Sequence, residues 1–184
     1  MGGTVAEGRV LSLVACAAGG IAGLRPHLVT PLVEAGWRVA ITLTPTAGTW
    51  LTDDGEASRL ETLTGLPVRW ETRLPGRPRP HPEPDACAVV PATANAVAKL
   101  ALAISDNQAM TVANEMIGRE EVPVLVFPCI NLAHTRHPAW DGHVATLRSA
   151  GVRMMTGEDV WPLRSPRRER GLPWDRIIQE IRSL

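Results

Sequence analysis

The chain has 184 residues, of which 45% are hydrophobic, so it can form about one α/β domain with a substantial core. Lysine plus arginine and aspartate plus glutamate both total 19, and this zero net charge indicates neither a nucleic-acid nor an acidic-membrane partner. The first apolar segment starts near Val10, lacks a basic flank and is too short to span a bilayer. We therefore expect neither a signal peptide nor a membrane helix. Cys16, Cys87 and Cys129 lie in apolar contexts, which favours buried thiols in a cytoplasmic protein over a disulfide or metal site.

Apolar runs with the length and composition of buried parallel strands alternate with helical patterns along the chain. The strand candidates are 10–17, 37–43, 86–90 and 122–127, with two short ones at 68–70 and 152–155. The helical patterns are 28–35, 55–63, 96–104, 110–116, 142–150 and 174–184. This alternation predicts a single domain, residues 1–184, built as a doubly wound parallel sheet.

The turns after the first two strands have compositions that are typical of ligand-binding turns. Gly19 and Gly20 come after the first strand, where glycine allows a close approach of the backbone to a ligand. Thr44, Thr46 and Ala47 come after the second, and hydroxyls at a helix start suit a phosphate group. Plain helix capping by the threonines is the alternative interpretation.

The third strand leads into the most informative stretch of the chain. Small polar residues, Thr93 and Asn95, stand at the cap positions of the helix 96–104, and the polar residues of 105–108 follow it. Strand, polar turn and helix in this order place free N–H groups at the carboxyl edge of a sheet, where ligands bind in open α/β folds.

Three further segments are candidates for function. Asn131 and His134 follow the fourth strand and are well placed to face a ligand. Segment 73–85 is proline-rich and predicts an extended surface segment, which holds His81. Segment 164–171 is a basic, turn-rich loop, which either binds a carboxylate through arginine or is simply solvated.

Residues 91–107 closely resemble the P-A-S-A-N-T-I-A-K-[IL]-A…[AC]-D-N-L signature of the homo-oligomeric flavin-containing cysteine decarboxylase superfamily. This superfamily includes peptidyl-cysteine decarboxylases, phosphopantothenoylcysteine decarboxylases and flavin prenyltransferases. Three other stretches follow the superfamily's order. They are the glycine turn 19–20, the segment 44–47, which is similar to T-x-S-A, and 128–131 with Pro138.

The resemblance implies a flavodoxin-like, Rossmann-type subunit with three layers. It also implies a homo-trimer, or a dodecamer of trimers, with FMN bound between neighbouring protomers. The residues it assigns to FMN are Gly19, Gly20, Thr44, Thr46, Ala47, Ala92, Thr93, Ala94 and Asn95.

The decarboxylases of this superfamily use FMN to oxidise a peptidyl or pantothenoyl cysteine, which then loses carbon dioxide. They rely on a histidine before the P-A-S-A-N turn and on the asparagine of a P-x-M-N motif, which Asn131 matches. At the superfamily's spacing the histidine position holds Arg77, and His81 lies four residues later. The M-W pair that follows the P-x-M-N motif in the family is replaced by His134 and Thr135. Either His81 supplies the base, or the base is lost.

The resemblance leaves three functions open. The first is an FMN-dependent oxidative decarboxylase of a peptide with a C-terminal cysteine or of a small thiol acid. The second is an FMN-holding regulatory or assembly subunit without the catalytic histidine, and the third, weaker one is an NAD(P)H-linked flavin reductase. The phosphopantothenoylcysteine branch is disfavoured because segment 164–171 lacks a glycine-rich clamp with a cysteine acid. The prenyltransferase branch is disfavoured because the chain has no tyrosine.

Overall fold

The computed structural model describes residues 8–161 and 171–184. In these residues five parallel strands form one sheet in the order β2-β1-β3-β4-β5. The strands are β1 Val10–Ala15, β2 Arg38–Leu43, β3 Ala86–Ala92, β4 Val124–Pro128 and β5 Arg153–Met154. This order is that of flavodoxin-like folds, so the predicted doubly wound α/β fold is confirmed. Its switch point, where ligands bind in such sheets, lies between β1 and β3.

Helices cover both faces of the sheet. The α-helices are α1 Thr30–Glu34, α2 Pro45–Asp53, α3 Glu56–Thr64, α4 Ala94–Ala101, α5 Gln108–Ile117, α6 Leu132–Thr135, α7 Trp140–Ser149 and α8 Trp174–Arg182. A 3-10 turn, Ile21–Gly23, and a π-helical stretch, Arg25–Val29, precede α1. None of the helices in the described ranges is long and apolar enough to cross a membrane.

The strands alternate their side chains between two apolar cores. Leu13 and Ile41 point into one core, together with buried residues of α1, α2, α3 and α8. Val14 and Val126 point into the other, which α4, α5 and α7 cover. Burial on both faces explains why the strand sequences are almost continuously apolar.

Two helix boundaries differ from the sequence prediction. Helix α2 begins at Pro45, directly after β2, although threonine, proline and glycine are weak helix formers. Proline suits the first helical position, and Thr44 before it is extended. The signature helix ends at Ala101, because Ala103 has a φ of 55° and Asn107 caps a separate helix, α5.

Of two other predicted segments, one differs in the structure and the other is largely outside the described residues. Residues 68–70 form no strand, and a single parallel bridge joins Thr42 to Arg69. The basic segment 164–171 lies outside the described residues except for Gly171.

Candidate functional site: a cleft at the carboxyl ends of β1, β2 and β3

A cleft of about 470 Å³ opens where three strands end. Its lining comes from the turn after β1, the start of α2 after β2, the start of α4 after β3, and the start of α5. The lining residues are Cys16, Ala17, Thr44, Pro45, Thr46, Trp50, Thr93, Asn95, Ala96, Lys99, Asp106, Asn107 and Met110. We call this pocket the strand-end cleft.

Backbone hydrogen bonds hold the strand ends together beneath the cleft. The N–H of Thr44 donates to the carbonyl oxygen of Ala15 at 3.0 Å, and the N–H of Cys16 donates to that of Pro91 at 3.0 Å. These bonds fix the turns after β1, β2 and β3 relative to one another, so the groups that the turns present are pre-organised.

The start of α2 offers unused hydrogen-bond donors to the cleft. In the part of the chain that the structure describes, no hydrogen bond engages the hydroxyls of Thr44 and Thr46 or the N–H groups of Thr46 and Ala47. The first N–H groups of a helix lack intrahelical acceptors, and the helix dipole favours negative charge there. This corner of the cleft is therefore chemically suited to a phosphate.

The start of α4 uses one of its two polar residues for the helix itself. The hydroxyl of Thr93 accepts a hydrogen bond from the N–H of Ala96 at 3.1 Å, which is an N-cap. Asn95 is exposed at the cleft, and its side chain makes no hydrogen bond to any other described residue. Asn95 is therefore available to a ligand, whereas Thr93 is already engaged.

A charged pair forms another part of the wall. The ammonium of Lys99 donates to Asp106 at 2.6 Å, and the side-chain amide of Asn107 donates to the other oxygen of the same carboxylate at 2.9 Å. The hydrogen bond from Lys99 holds the pKa of Asp106 below its usual range. Asn107 also caps α5 by accepting from the N–H of Met110, so this network positions the helix as well as the cleft wall.

The base of the cleft contains a thiol that stays protonated. Cys16 is buried, and desolvation raises its pKa to about 11. Cys87 and Cys129 are also free thiols with raised pKa values, to about 12 for Cys87. The sequence-based expectation of buried thiols holds for Cys16 and Cys87, while Cys129 is half-buried.

Five residues predicted to bind FMN do not line the cleft itself. Ala47 and Ala92 are buried within the elements that flank it, and Ala94 is half-buried in the first turn of α4. Gly19 and Gly20 are exposed in the turn after β1. Gly20 has a φ of 84°, and a Cβ added there would lie 2.6 Å from Leu172, so this turn packs under the C-terminal segment.

Asn131 and His134 lie at the same edge of the sheet, after β4, but outside the lining of the cleft. The side chain of Asn131 caps the short helix α6 by accepting from the N–H of His134 at 3.1 Å. The imidazole of His134 is exposed. Both residues follow a strand end, as the sequence indicates, and they belong to a neighbouring part of the edge.

His81 lies in a different place. It is half-buried in the proline-rich segment, and its Nε2 is 2.7 Å from the carbonyl oxygen of Pro67. Burial lowers its pKa. Arg77, four residues earlier, is exposed. The three candidate catalytic residues are therefore not gathered around one cleft within a single chain.

Sequence reasoning missed Trp50 as a cleft residue. Its side chain is 49% exposed at the cleft rim, where the start of α2 was not recognised as helix. Lys99 belongs to the signature stretch, but the sequence does not show that it lines the cleft. Only the side of α4 that faces the cleft assigns Lys99 to the cleft wall.

The residues present fit a flavin mononucleotide. Unused N–H and hydroxyl donors stand at the start of α2, and Trp50, Met110 and Ala17 supply apolar and aromatic surface to the same cleft. Among residues 8–161 and 171–184, no cluster of histidine, cysteine or carboxylate side chains could hold a metal ion.

The fold and the cleft define an α/β protein with a ligand site at its topological switch point. The Flavoprotein family model matches residues 6–183, so the chain belongs to the Flavoprotein family. A search of curated proteins finds no match.

Solved structures with the same fold include cysteine decarboxylases. HAL3 from Cryptococcus neoformans is 18% identical, with a TM-score of 0.71 over 96% of both chains. TvaF, an FMN-dependent cysteine decarboxylase from thioviridamide biosynthesis, is 27% identical, with a TM-score of 0.66 over 83% of this chain and 93% of its own. The peptidyl-cysteine decarboxylase EpiD is 19% identical, with a TM-score of 0.63 over 81% and 86% of the two chains.

Proposed function

We propose that this protein binds FMN in the strand-end cleft and catalyses the oxidative decarboxylation of a substrate with a terminal cysteine. The observation that carries the proposal is the set of unused donors at the start of α2, in the same cleft as the apolar and aromatic side chains of Met110 and Trp50. FMN pairs a phosphate with a flat ring, so it matches both the donors and the apolar surface.

The ends of FMN would be held by different elements. Thr44 and Thr46 would bind the phosphate, and Asn95 would bind a polar edge of the ring system. When bound, FMN supplies the capacity to accept two electrons and a proton from the substrate.

The substrate class rests on two relatives. TvaF is an FMN-dependent cysteine decarboxylase, and EpiD has been solved with the substrate peptide DSYTC, which ends in cysteine. In this chain Asn131 would orient the substrate, and His81 or His134 would take its proton.

A homo-oligomer, a trimer or a dodecamer of trimers, is part of the proposal. His81 lies away from the strand-end cleft, in the proline-rich segment, whereas Asn131 and His134 follow β4. A second copy that brings its proline-rich segment to the cleft would reunite these groups. Leu102 and Ile104, two exposed apolar residues after α4, would be part of the covered surface.

The test is an activity assay on FMN-saturated protein with short peptides that end in cysteine, with loss of carbon dioxide followed by mass spectrometry. We expect turnover by the wild type, and its loss in His81→Asn and Asn131→Asp with FMN still bound. His143→Asn, the same kind of substitution at a histidine of α7 outside the strand-end cleft, is the matched control. Full activity in both variants would refute the assigned roles.

A second candidate is an FMN-binding regulatory or assembly subunit. It is favoured by the position of His81, whose Nε2 is already used by the carbonyl oxygen of Pro67, and by Arg77 in the place where the superfamily has its histidine. Intact flavin and oligomer without turnover of any cysteine-type acid would support this candidate. Rapid bleaching of the flavin by NADPH would instead favour a reductase.

A further inference from the structure

A second, smaller cavity lies on the α5 face of the sheet, over β1 and β2. Its volume is about 270 Å³, and in the described chain it shares no lining residue with the strand-end cleft. The proline-rich segment and α5 form its walls, and the two strands form its floor. We call it the β1–β2 cavity.

The floor of the β1–β2 cavity is polar where the sheet is otherwise apolar. Ser12 and Thr42, 7% and 1% exposed, are the only polar residues fully buried in the described part of the chain, and both line this cavity. Their neighbours Leu13 and Ile41 point to the opposite core. A hydroxyl in the middle of a sheet costs free energy unless it finds a partner.

The two hydroxyls differ in their partners. Ser12 interacts with the thiol of Cys87. Thr42 has no side-chain hydrogen bond to any residue in the described ranges, although its side chain faces the cavity. Thr42 thus presents to the cavity a hydroxyl that no described side chain engages.

Arginines dominate the charge around the cavity. Four of them line it, against two glutamates, and two of the four are neutralised. Arg79 lies 3.1 Å from Glu83 and 3.7 Å from Glu115, and Arg119 lies 2.8 Å from Glu83.

The other two arginines, Arg69 and Arg73, have no carboxylate partner among the described residues. Arg69 donates to the carbonyl oxygen of Glu71 at 3.0 Å, and Arg73 donates to that of Arg77. A guanidinium has five N–H donors, so one carbonyl leaves most of them unused. Arg69 is also the residue whose backbone pairs with Thr42.

We propose that the β1–β2 cavity is a binding site for a small organic oxyanion, a carboxylate or a phosphate, held by Arg69, Arg73 and the hydroxyl of Thr42. Guanidinium groups bind both anions through paired N–H donors, and the hydroxyl of Thr42 adds one further donor. The volume of about 270 Å³ suits a small ligand. Within one chain this site shares no lining residue with the strand-end cleft, and His81, a candidate catalytic residue, is part of its lining.

The test is calorimetric titration of the full-length, FMN-saturated protein with two probes, inorganic phosphate and succinate. We expect saturable binding of at least one probe, and the preferred probe identifies the anion class. Thr42→Val, which keeps the branched shape, and Arg69→Gln are each expected to weaken binding by about tenfold or more, the effect of losing one hydrogen bond to a charged group. Arg77→Gln, exposed and outside the cavity, is expected to leave the affinity unchanged.

Three results would overturn the proposal. The first is that neither probe shows saturable binding. The second is that both cavity variants are folded and bind the probes as the wild type does. The third is that phosphate binding falls in Thr46→Val but not in Thr42→Val. The last result would assign the phosphate to the strand-end cleft. Failure of the protein to bind flavin would refute the proposed function, and the titration of the flavin-free protein would still test the cavity.

Discussion

Replacing Thr46 with valine removes one hydroxyl from the phosphate corner of the strand-end cleft and leaves the branched shape in place. Thr46 is in the first turn of α2, and in the described chain no other residue accepts from or donates to its hydroxyl. The helix should tolerate the change, because threonine and valine have similar helix propensities. The substitution therefore isolates the contact with the ligand.

A hydrogen bond to a charged group contributes about 1.5–3 kcal/mol. The account therefore predicts that Thr46→Val weakens FMN binding by roughly 10- to 100-fold. Riboflavin has no phosphate, so its affinity should be unchanged. The assay is a fluorescence titration of flavin-free protein with each flavin in turn.

The matched control is Thr49→Val in the same helix. The hydroxyl of Thr49 donates to the carbonyl oxygen of Pro45 at 3.2 Å and lies outside the cleft. This variant should bind FMN like the wild type. Equal losses for FMN and riboflavin in Thr46→Val, or no loss for either, would refute the placement of the phosphate.

Three further predictions concern stability and reactivity. Thr93→Ala removes the cap of α4 and should cost about 1 kcal/mol, or roughly 2–4 °C in Tm by calorimetry, while Thr93→Ser should restore the cap; equal Tm values for the two variants would contradict the role of the hydroxyl. The hydrogen bond from Arg25 lowers the pKa of Glu56 in the folded protein, so the ion pair stabilises the fold at pH values above the ordinary carboxylate pKa. This stabilisation is lost as the pH falls through the lowered pKa of Glu56. Glu56→Gln should therefore reduce the free energy of unfolding in urea at neutral pH, and the difference from the wild type should vanish in acid; a difference that persists there would argue against the pair. Alkylation of the native protein should label half-buried Cys129 before the two buried thiols, and mass spectrometry that finds another cysteine labelled first would contradict the burial.

The sheet was predictable because its strands are buried on both faces. Runs such as Leu11–Ala15 and Val124–Phe127 leave few alternatives to a central parallel strand, and the helices between them force parallel crossovers. The edge strand β5 is short, and its location was also predicted, although only two residues pair. The strand order then brings the turns after β1, β2 and β3 to one place without any further information.

The boundaries of α2 and α4 were harder to predict from the sequence, because local helix propensity and tertiary packing disagree there. Helix α2 starts in a threonine- and proline-rich segment because Ala47 and Leu51 pack into the core. Nothing local indicates that the turn at Gly20 lies under Leu172, more than 150 residues later in the chain. Long-range contacts of this kind are set by the whole fold.

The candidate site was predictable in part. Thr44, Thr46, Thr93 and Asn95, all at strand ends, line one cleft, whereas the place of His81 depends on the path of a proline-rich segment without periodicity. The polar floor of the β1–β2 cavity was also hidden in the sequence, because single residues such as Ser12 and Thr42 hardly disturb an apolar run. Their significance comes only from the face of the sheet on which they lie.

A crystal structure of the protein with FMN tests the central claim most directly. The account predicts flavin density across the ends of β1, β2 and β3, with the phosphate within hydrogen-bonding distance of Thr44 and Thr46. Flavin bound elsewhere on the chain, or folded protein that takes up no flavin at saturating concentration, would contradict the account.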